Sequence, residues 1–300
     1  MPFVKSFPFA YGQAAAVSPL VRRVIAKNPG PYTFTGSGTY IIGREGGSLA
    51  VIDPGPDDAA HVDALVAAIG KGRVTHIFIT HTHRDHCGAA AAFAERVGAP
   101  TLAFGCHPDG DGTSVEEGAD RDFRPDQFIG DGATFEGDGW TIAAVATPGH
   151  LSNHLCYDLK EEAALFTGDH VMGWSTTVVA PPDGDMGDYL DSLEKLLARD
   201  DRRYYPTHGA PIDKPLPFVR AIRAHRRMRD GQILDQLMKD RAQIADMIPH
   251  MYQGLDKRLQ GAAAMNILAH LIRLQRIGAV EADGPPGLRA RFRLAKGGEV

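Results

Sequence analysis

Residues Thr75 to Gly88 read THIFITHTHRDHCG, and this stretch limits the fold more than any other. The run His76–Thr80 is short and mostly apolar, as expected of a strand buried on both faces, and it ends abruptly in His81, His83, Asp85 and His86. The alanine-rich segment that follows, Gly88 to Val97, has Phe93 and Val97 four residues apart and reads as a helix. Strand end, ligand-rich loop and helix start therefore follow in that order, which is how open α/β sheets set sites at the carboxyl ends of their strands.

His81 and His83, two apart on an extended loop, can share one metal ion. Asp85 and His86 come where the chain turns into the helix and suit a second ion better. One cluster cannot complete two coordination spheres, so further ligands are expected downstream, each just after a strand-like run. Three places qualify. In WTIAAVATPGH the strand-like Trp140–Ala146 leads to Pro148-Gly149 and His150; in AALFTGDH, Ala163–Phe166 leads through Thr167-Gly168 to Asp169; in RRYYPTHG, Tyr204 and Tyr205 lead through Pro206 to His208. A turn-forming Pro or Gly stands beside each candidate. A lone histidine would read as a helix cap or a satisfied core residue, but several such motifs in one chain point to metal.

THTHRDH, TPGH, TGD and THG, in this order and at these separations, resemble the metallo-β-lactamase superfamily over about two thirds of the chain. Carried over position by position, the resemblance implies His81, His83 and His150 on a first metal, Asp85, His86 and His208 on a second, and Asp169 bridging them. It also implies an α/β fold of the four-layer αββα sandwich type. Two divalent cations are expected; zinc suits the N and O ligands, and iron and manganese accept them too.

At 43% hydrophobic residues, 300 residues can build one large core or two ordinary ones. The net charge of −5 hides an asymmetry: Met1 to Lys214 carries 17 Lys+Arg against 29 Asp+Glu, while Pro215 to Val300 carries 15 against 8. A catalytic domain over 1–214 and a small basic domain over 215–300 follow, with Lys214–Pro217 as linker. In the second, helices over Phe218–Lys239, Gln243–Ile248 and Gly261–Arg276 precede a hairpin of Ala279–Asp283 and Leu288–Leu294, a winged-helix-like order. Arg289, Arg291 and Arg293 alternate with Ala290, Phe292 and Leu294, so one face of the last strand is basic; it reads as a solvated face or a phosphate-contacting one. The amino-terminal stretch is broken by Lys5, Pro8 and Gln13 before signal-peptide length, and no apolar run is long enough to span a bilayer, so a cytoplasmic protein without membrane contact is expected. Cys87, Cys106 and Cys156 show no C-x-x-C spacing and read as small buried residues. A homo-oligomer is left open.

Several other residues gather near the expected site. Asp53 ends the strand Leu49–Ile52, the partner in a hairpin with Phe34–Gly43, and could brace the His/Asp loop as well as cap the helix Ala59–Ile69. His154 either faces the cavity, touching substrate or giving a proton to a leaving group, or makes a structural hydrogen bond. His170 is a supporting or simply a buried residue, and Trp174, in the Gly- and Pro-punctuated loop Val171–Asp185, lines the substrate or packs beneath the loop. The polar segment His107–Asp126 reads as a mobile loop at the site mouth, and its DGDG lacks the rest of a calcium loop.

Two cations bridged by Asp169 would hold a water between them and lower its pKa from about 16 toward neutrality, so the expected reaction is hydrolysis by a metal-bridging hydroxide, with Asp85 or Asp169 orienting the proton. The zinc β-lactamases proper lack a bridging Asp at this position, and the inserted domain of the β-CASP nucleases is missing here. The chain is most similar to the β-lactamase-like protein 2 group, whose members carry a carboxy-terminal winged-helix-like domain and include a single-strand endoribonuclease. Where that group usually shows Thr-Asn-Thr, this chain has Ser37-Gly38-Thr39. The first expectation is therefore a phosphodiesterase acting on single-stranded RNA. The alternative is a glyoxalase II-like thioesterase on small-molecule thioesters such as acyl-glutathione or acyl-CoA, and the third a nucleic-acid-binding protein without turnover.

Overall fold

In a computed structural model, which describes residues 2–108 and 118–295, the strands form two sheets and a short hairpin. The first sheet runs in the order β1 (Ala15–Ala16), β2 (Val21–Ile25), β3 (Gly38–Ile42), β4 (Ser48–Ile52), β5 (Arg73–Phe78), β6 (Thr101–Ala103) and β7 (Gln127–Phe128). It is antiparallel as far as β4 and parallel from there. In the second, β8 (Thr134–Gly137), β9 (Trp140–Ala146), β10 (Leu155–Leu159) and β11 (Ala164–Gly168) pair antiparallel, and β12 (Arg203–Pro206) joins β11 in parallel.

Why two sheets stack is written in the strands, which are apolar on both faces. Tyr40 and Ile42 of β3, Ala50 and Ile52 of β4 and Phe78 of β5 pack with Trp140, Ile142, Tyr157, Phe166 and Tyr205 from the other sheet. Their neighbours Ile41, Leu49, Val51, Val74 and Ile77 point the other way, onto α1 (Ala59–Ile69) and a helix pair, α2 (Arg84–Cys87) and α3 (Ala90–Val97). The outer face of the second sheet, with Val145, Leu165 and Tyr204, is covered by Tyr189, Leu193 and Leu196 of α4 (Met186–Leu197) and by Phe218, Val219 and Ile222 of α5 (Pro215–Met238). Helix, sheet, sheet, helix is the four-layer order, and period-two alternation between two apolar sets produces it.

The remaining core gathers Ile233, Leu234 and Leu237 from the far half of α5 with α6 (Ile244–Met251), α7 (Gln260–Arg276) and the hairpin β13 (Val280–Ala282) and β14 (Phe292–Leu294). Helix α5 thus belongs to two cores at once. The expected linker at Lys214–Pro217 is instead the cap and first turn of that helix, where Pro215 fits because its missing N–H is not needed there. The expected helix from Gly88 starts at Ala90, and a separate short turn, Arg84–Cys87, precedes it, because the ligand loop itself winds up and carries Asp85 and His86 inward. The expected strand from Phe34 starts only at Gly38: Phe34 has φ +57° and Gly36 φ +122°, a conformation that bends the chain, and a Cβ at Gly36 would lie 2.1 Å from the Ala26 carbonyl oxygen. Part of the polar segment His107–Asp126, including its DGDG, lies outside the described residues. Among the described residues no helix is long and apolar enough to cross a membrane.

Phe78 is fully buried between the sheets, its ring 5.0 Å from that of Tyr157 and 5.3 Å from that of Phe135. Phe78→Ala is expected to cost about 3–5 kcal/mol of stability, read from urea denaturation, with the slope of the transition unchanged.

Candidate metal centre

Every loop that carries an expected ligand leaves the carboxyl end of a strand: His81 to His86 follow β5, His150 follows β9, Asp169 follows β11 and His208 follows β12. The two sheets therefore bring all seven side chains to one end of the sandwich, where each is at least 94% buried. Three groups with ligand atoms within 4.8 Å of one another result: His81, His83 and His150; His81, His86 and Asp169; and Asp85, His86 and His208.

Tight turns put them there. After β9, Gly149 takes φ +133°, and a Cβ would meet the backbone of Tyr189 at 2.3 Å, so the Pro148-Gly149 turn lies directly on α4 while it presents His150. After β11, Gly168 takes φ +48° and leaves no room for a side chain between His154 and Thr80.

Hydrogen bonds at the outer ring nitrogens set which atoms face inward. His150 Nδ1 lies 2.7 Å from the Val178 carbonyl oxygen and His208 Nδ1 3.3 Å from that of Gly36. Each Nδ1 must donate to its carbonyl, which turns Nε2 toward the centre as the atom that coordinates once it carries no proton. His86 Nδ1 meets Asp53 Oδ2 at 2.8 Å, and His81 Nδ1 meets Thr80 Oγ1 at 3.0 Å. At the centre, His81 Nε2 is 2.9 Å and His150 Nε2 3.2 Å from His83 Nδ1. Asp85 Oδ2 is 3.1 Å from His208 Nε2 and 3.4 Å from His86 Nε2; Asp169 Oδ1 is 3.4 Å and 3.5 Å from the same two nitrogens. His86 Nε2 and Asp169 Oδ1 are buried without a hydrogen-bond partner among the described residues. Buried ligand atoms that converge in this way, two of them without a hydrogen-bond partner, are costly unless positive charge stands among them, so the residues fit metal ions. The donors are imidazole nitrogens and carboxylate oxygens, which suit borderline divalent cations.

The charges divide the cluster. Burial pushes the imidazoles of His81, His83 and His150 down, His83 to about 3, so these three are neutral and ready to coordinate. Burial acts in the same direction on His86 and His208 but is outweighed by the carboxylates of Asp85 and Asp169; His86 is raised well above its ordinary value and His208 to about 10. Burial raises the two carboxyls, and the same histidines overcome it, holding Asp85 at about 2 and Asp169 well below the ordinary range. Without metal, protons on His86 and His208 supply the positive charge that the carboxylates demand.

Asp53 braces the cluster. Its backbone takes φ +51°, which Asp tolerates better than most residues, and its buried carboxylate accepts from Thr80 N at 2.8 Å, Thr80 Oγ1 at 2.8 Å and Thr207 Oγ1 at 3.2 Å while meeting His86. His154 is engaged on both ring nitrogens: Nε2 accepts the Asp169 backbone N–H at 3.2 Å, and Nδ1 lies 2.9 Å from Thr147 Oγ1. It faces the Asp169 backbone, not open space. His170 is fully buried against the ring of Tyr189, and His107 meets Thr82 and joins none of the three groups. Trp174 stacks on Phe34 with ring centroids 4.8 Å apart and planes 8° apart. Sequence reasoning missed Ser37, whose hydroxyl donates to Asp85 Oδ2 at 3.2 Å and which the side chain of Asn28 holds on two sides. The unusual Ser-Gly-Thr marked the place, but only the fold shows that it reaches a ligand. Thr177, whose hydroxyl donates to the Asp169 carbonyl oxygen, was missed as well.

Two measurements check this site. Asp53→Ala is expected to weaken metal retention by roughly 10–100-fold in competition with a chromophoric chelator. Because the carboxylates raise His86 and His208 while burial lowers His81, His83 and His150, metal binding at Asp85, His86 and His208 is expected to release more protons than at the three lowered histidines. Lowering the pH from mildly alkaline to mildly acidic should therefore strip one equivalent before the other, measured by metal analysis after gel filtration.

The geometry agrees with what the chain is similar to. The profile described as Metallo-beta-lactamase superfamily matches residues 32–208, and that described as Beta-lactamase associated winged helix domain matches residues 244–287. A Beta-lactamase-like protein 2 homolog from Caenorhabditis elegans is 32% identical over 272 residues, 88% of this chain and 87% of the relative. An Atrochrysone carboxyl ACP thioesterase from Aspergillus fumigatus is 36% identical over 224 residues, 73% of this chain and 65% of its own length. A solved beta-lactamase domain protein from Burkholderia ambifaria, 20% identical, shares the fold with a TM-score of 0.79 over 97% of this chain and 95% of that one. With a four-layer body, His and Asp clusters at one end of it and a winged helix domain behind, the chain belongs to the metallo-beta-lactamase superfamily and is a hydrolase.

Proposed function

We propose that the chain hydrolyses acyl thioesters, with His81, His83 and His150 holding one divalent cation, Asp85, His86 and His208 a second, and Asp169 shared between them. Two such cations, zinc being the best match to these donors, would activate water and polarise the acyl oxygen. The chain's own residues do the rest. Ser37 and His208 fix the Asp85 carboxylate, so that Oδ2 is oriented to take or pass a proton beside the second triad. His154 acts as a positioning residue: by accepting the Asp169 backbone N–H it fixes where that carboxylate sits. Cys87 adjoins the cluster, but burial raises its thiol far above the usual range, so it offers no thiolate nucleophile.

The observation that carries the substrate class is the resemblance to proteins named as carrier-protein thioesterases over 73–77% of the chain. A second observation weakens the RNA reading that the basic tail suggested. Most of its arginines are already occupied: Arg223 pairs with Glu194, Arg226 is buried, Arg229 lies over Tyr252 and donates to the Met251 carbonyl, and Arg273, Arg276 and Arg293 pair with Asp230, Asp185 and Glu281. Phosphodiester hydrolysis of single-stranded RNA stays as the second reading, favoured by the exposed Arg289 and Arg291.

Zinc-loaded protein is expected to release thiol from an acyl-CoA and acyl-glutathione panel in a colorimetric assay, and the Asp85→Ala, His86→Ala double variant to lose at least roughly 100-fold of that rate. Equal turnover by both proteins would sink the reading. Faster cleavage of unstructured RNA than of any thioester, lost in the same variant, would replace it with the second.

A further inference from the structure

The metal ligands all lie within residues 81–208, yet the segment that aligns two of them is held from the C-terminal region. Thr177 donates its hydroxyl to the carbonyl oxygen of Asp169 at 2.6 Å and also lies 3.0 Å from that of His170. The next residue, Val178, accepts the Nδ1–H of His150. One short strap thus fixes the backbone of Asp169 and the ring of His150. It has little regular structure of its own, because Val171–Pro181 form neither helix nor strand.

What fixes the strap comes from α5 and α7. Arg226 donates through Nη2 to the Thr177 carbonyl oxygen and through Nη1 to Asn266 Oδ1. Asn266 Oδ1 also accepts the Val179 backbone N–H at 3.3 Å, and its Nδ2 donates to the Ala262 carbonyl oxygen one turn back on α7. Arg226 is 2% and Asn266 9% exposed. The guanidinium lies 4.9 Å over the Tyr189 ring, whose hydroxyl donates to the His170 carbonyl oxygen. A buried guanidinium is costly unless it is bonded; here Nη2 bonds the strap directly and Nη1 reaches it through Asn266, while Nε has no hydrogen-bond partner among the described residues.

We infer that Arg226 and Asn266 are positioning residues for the metal centre, so that the C-terminal helices serve the site as a strut that sets the His150 ring and the Asp169 backbone through Thr177–Val179. This rests on the reading of His81, His83 and His150 as ligands of one cation and adds a function for residues outside that set. The direction of action is definite. With Val179 held and the Thr177 carbonyl engaged, the Val178 carbonyl points at His150 Nδ1, which keeps Nε2 as the coordinating lone pair. Removing the acceptor at residue 266 frees the strap, and His150 loses its orienting partner.

The test uses the full chain and cobalt(II) as spectroscopic probe. Asn266→Leu removes the acceptor; Asn266→Asp keeps it and is the conservative variant; Arg226→Lys keeps the charge without the fork that reaches both partners. Leu271→Ala, in the C-terminal core and with a side chain that makes none of the hydrogen bonds to the strap, controls for lost stability. Asn266→Leu and Arg226→Lys are expected to show an altered cobalt ligand-field spectrum and roughly 10-fold faster loss of one equivalent to a chelator. Asn266→Asp should restore wild-type spectrum and retention. Leu271→Ala should lower the Tm and leave both unchanged. Wild-type spectra and retention in Asn266→Leu and Arg226→Lys would overturn the inference, as would the same spectral change in Leu271→Ala. If Asn266→Leu fails to fold, Arg226→Lys decides by the same two readouts. Wild-type protein that retains no cobalt would instead overturn the underlying ligand assignment.

Discussion

The carboxylate of Asp53 is the point on which the site depends. It is 1% exposed, sits at the end of β4 in the first sheet, and takes hydrogen bonds from Thr80 after β5 and from Thr207 after β12 in the second. One buried anion therefore joins the two sheets at the end where the ligand loops emerge, and its contact with His86 Nδ1 turns the other ring nitrogen inward. A buried carboxylate is tolerable only when its lone pairs are satisfied, and the hydroxyls that satisfy this one belong to the chain segments carrying His81 and His208. Packing of the sheets and orientation of the ligands are in this way one problem with one solution.

The two halves of the centre differ in charge before any metal enters. Three neutral imidazoles form one half; the other combines two anionic carboxylates with two histidines that hold protons. The first half buries no charge, the second balances its two anions against two protonated rings, and there protons and metal ions compete for the same nitrogens. The outer contacts of His86, His150 and His208, to Asp53, Val178 and Gly36, come from three different parts of the chain. The centre is thus supported from the first sheet, from the strap after β11 and, through Arg226 and Asn266, from the C-terminal helices.

Much of this was legible in the sequence because strands and ligand motifs are local features. The run Trp140–Ala146 and the helix Ala59–Ile69 have the expected bounds, since a continuous apolar run and apolar residues at helical spacing leave little choice. Misplaced boundaries, at Gly88, Phe34 and Lys214, fall where backbone geometry outweighs composition: a helical turn forced on the ligand loop, a left-handed Phe34, and a proline that starts a helix although it reads as a linker. The arginines misled for a different reason. Their number made the tail look like a phosphate-binding surface, but charge along a sequence does not say which partner each guanidinium meets, and most meet a carboxylate or a carbonyl within the chain.

The sequence alone pointed to the side chains that the fold gathers at one end of the sandwich, because His, Asp and turn-forming Gly or Pro at strand ends are chemical identities that survive any detail of packing. Tertiary structure decided what holds them. Ser37 on Asp85, Thr177 on Asp169, His154 on the Asp169 backbone and Asn266 on Val179 are contacts between residues 8 to 87 positions apart, and each is an ordinary polar side chain whose role exists only once two distant segments share a buried space. A hydrogen bond needs both partners within about 3 Å and aligned, a condition that only the folded chain imposes.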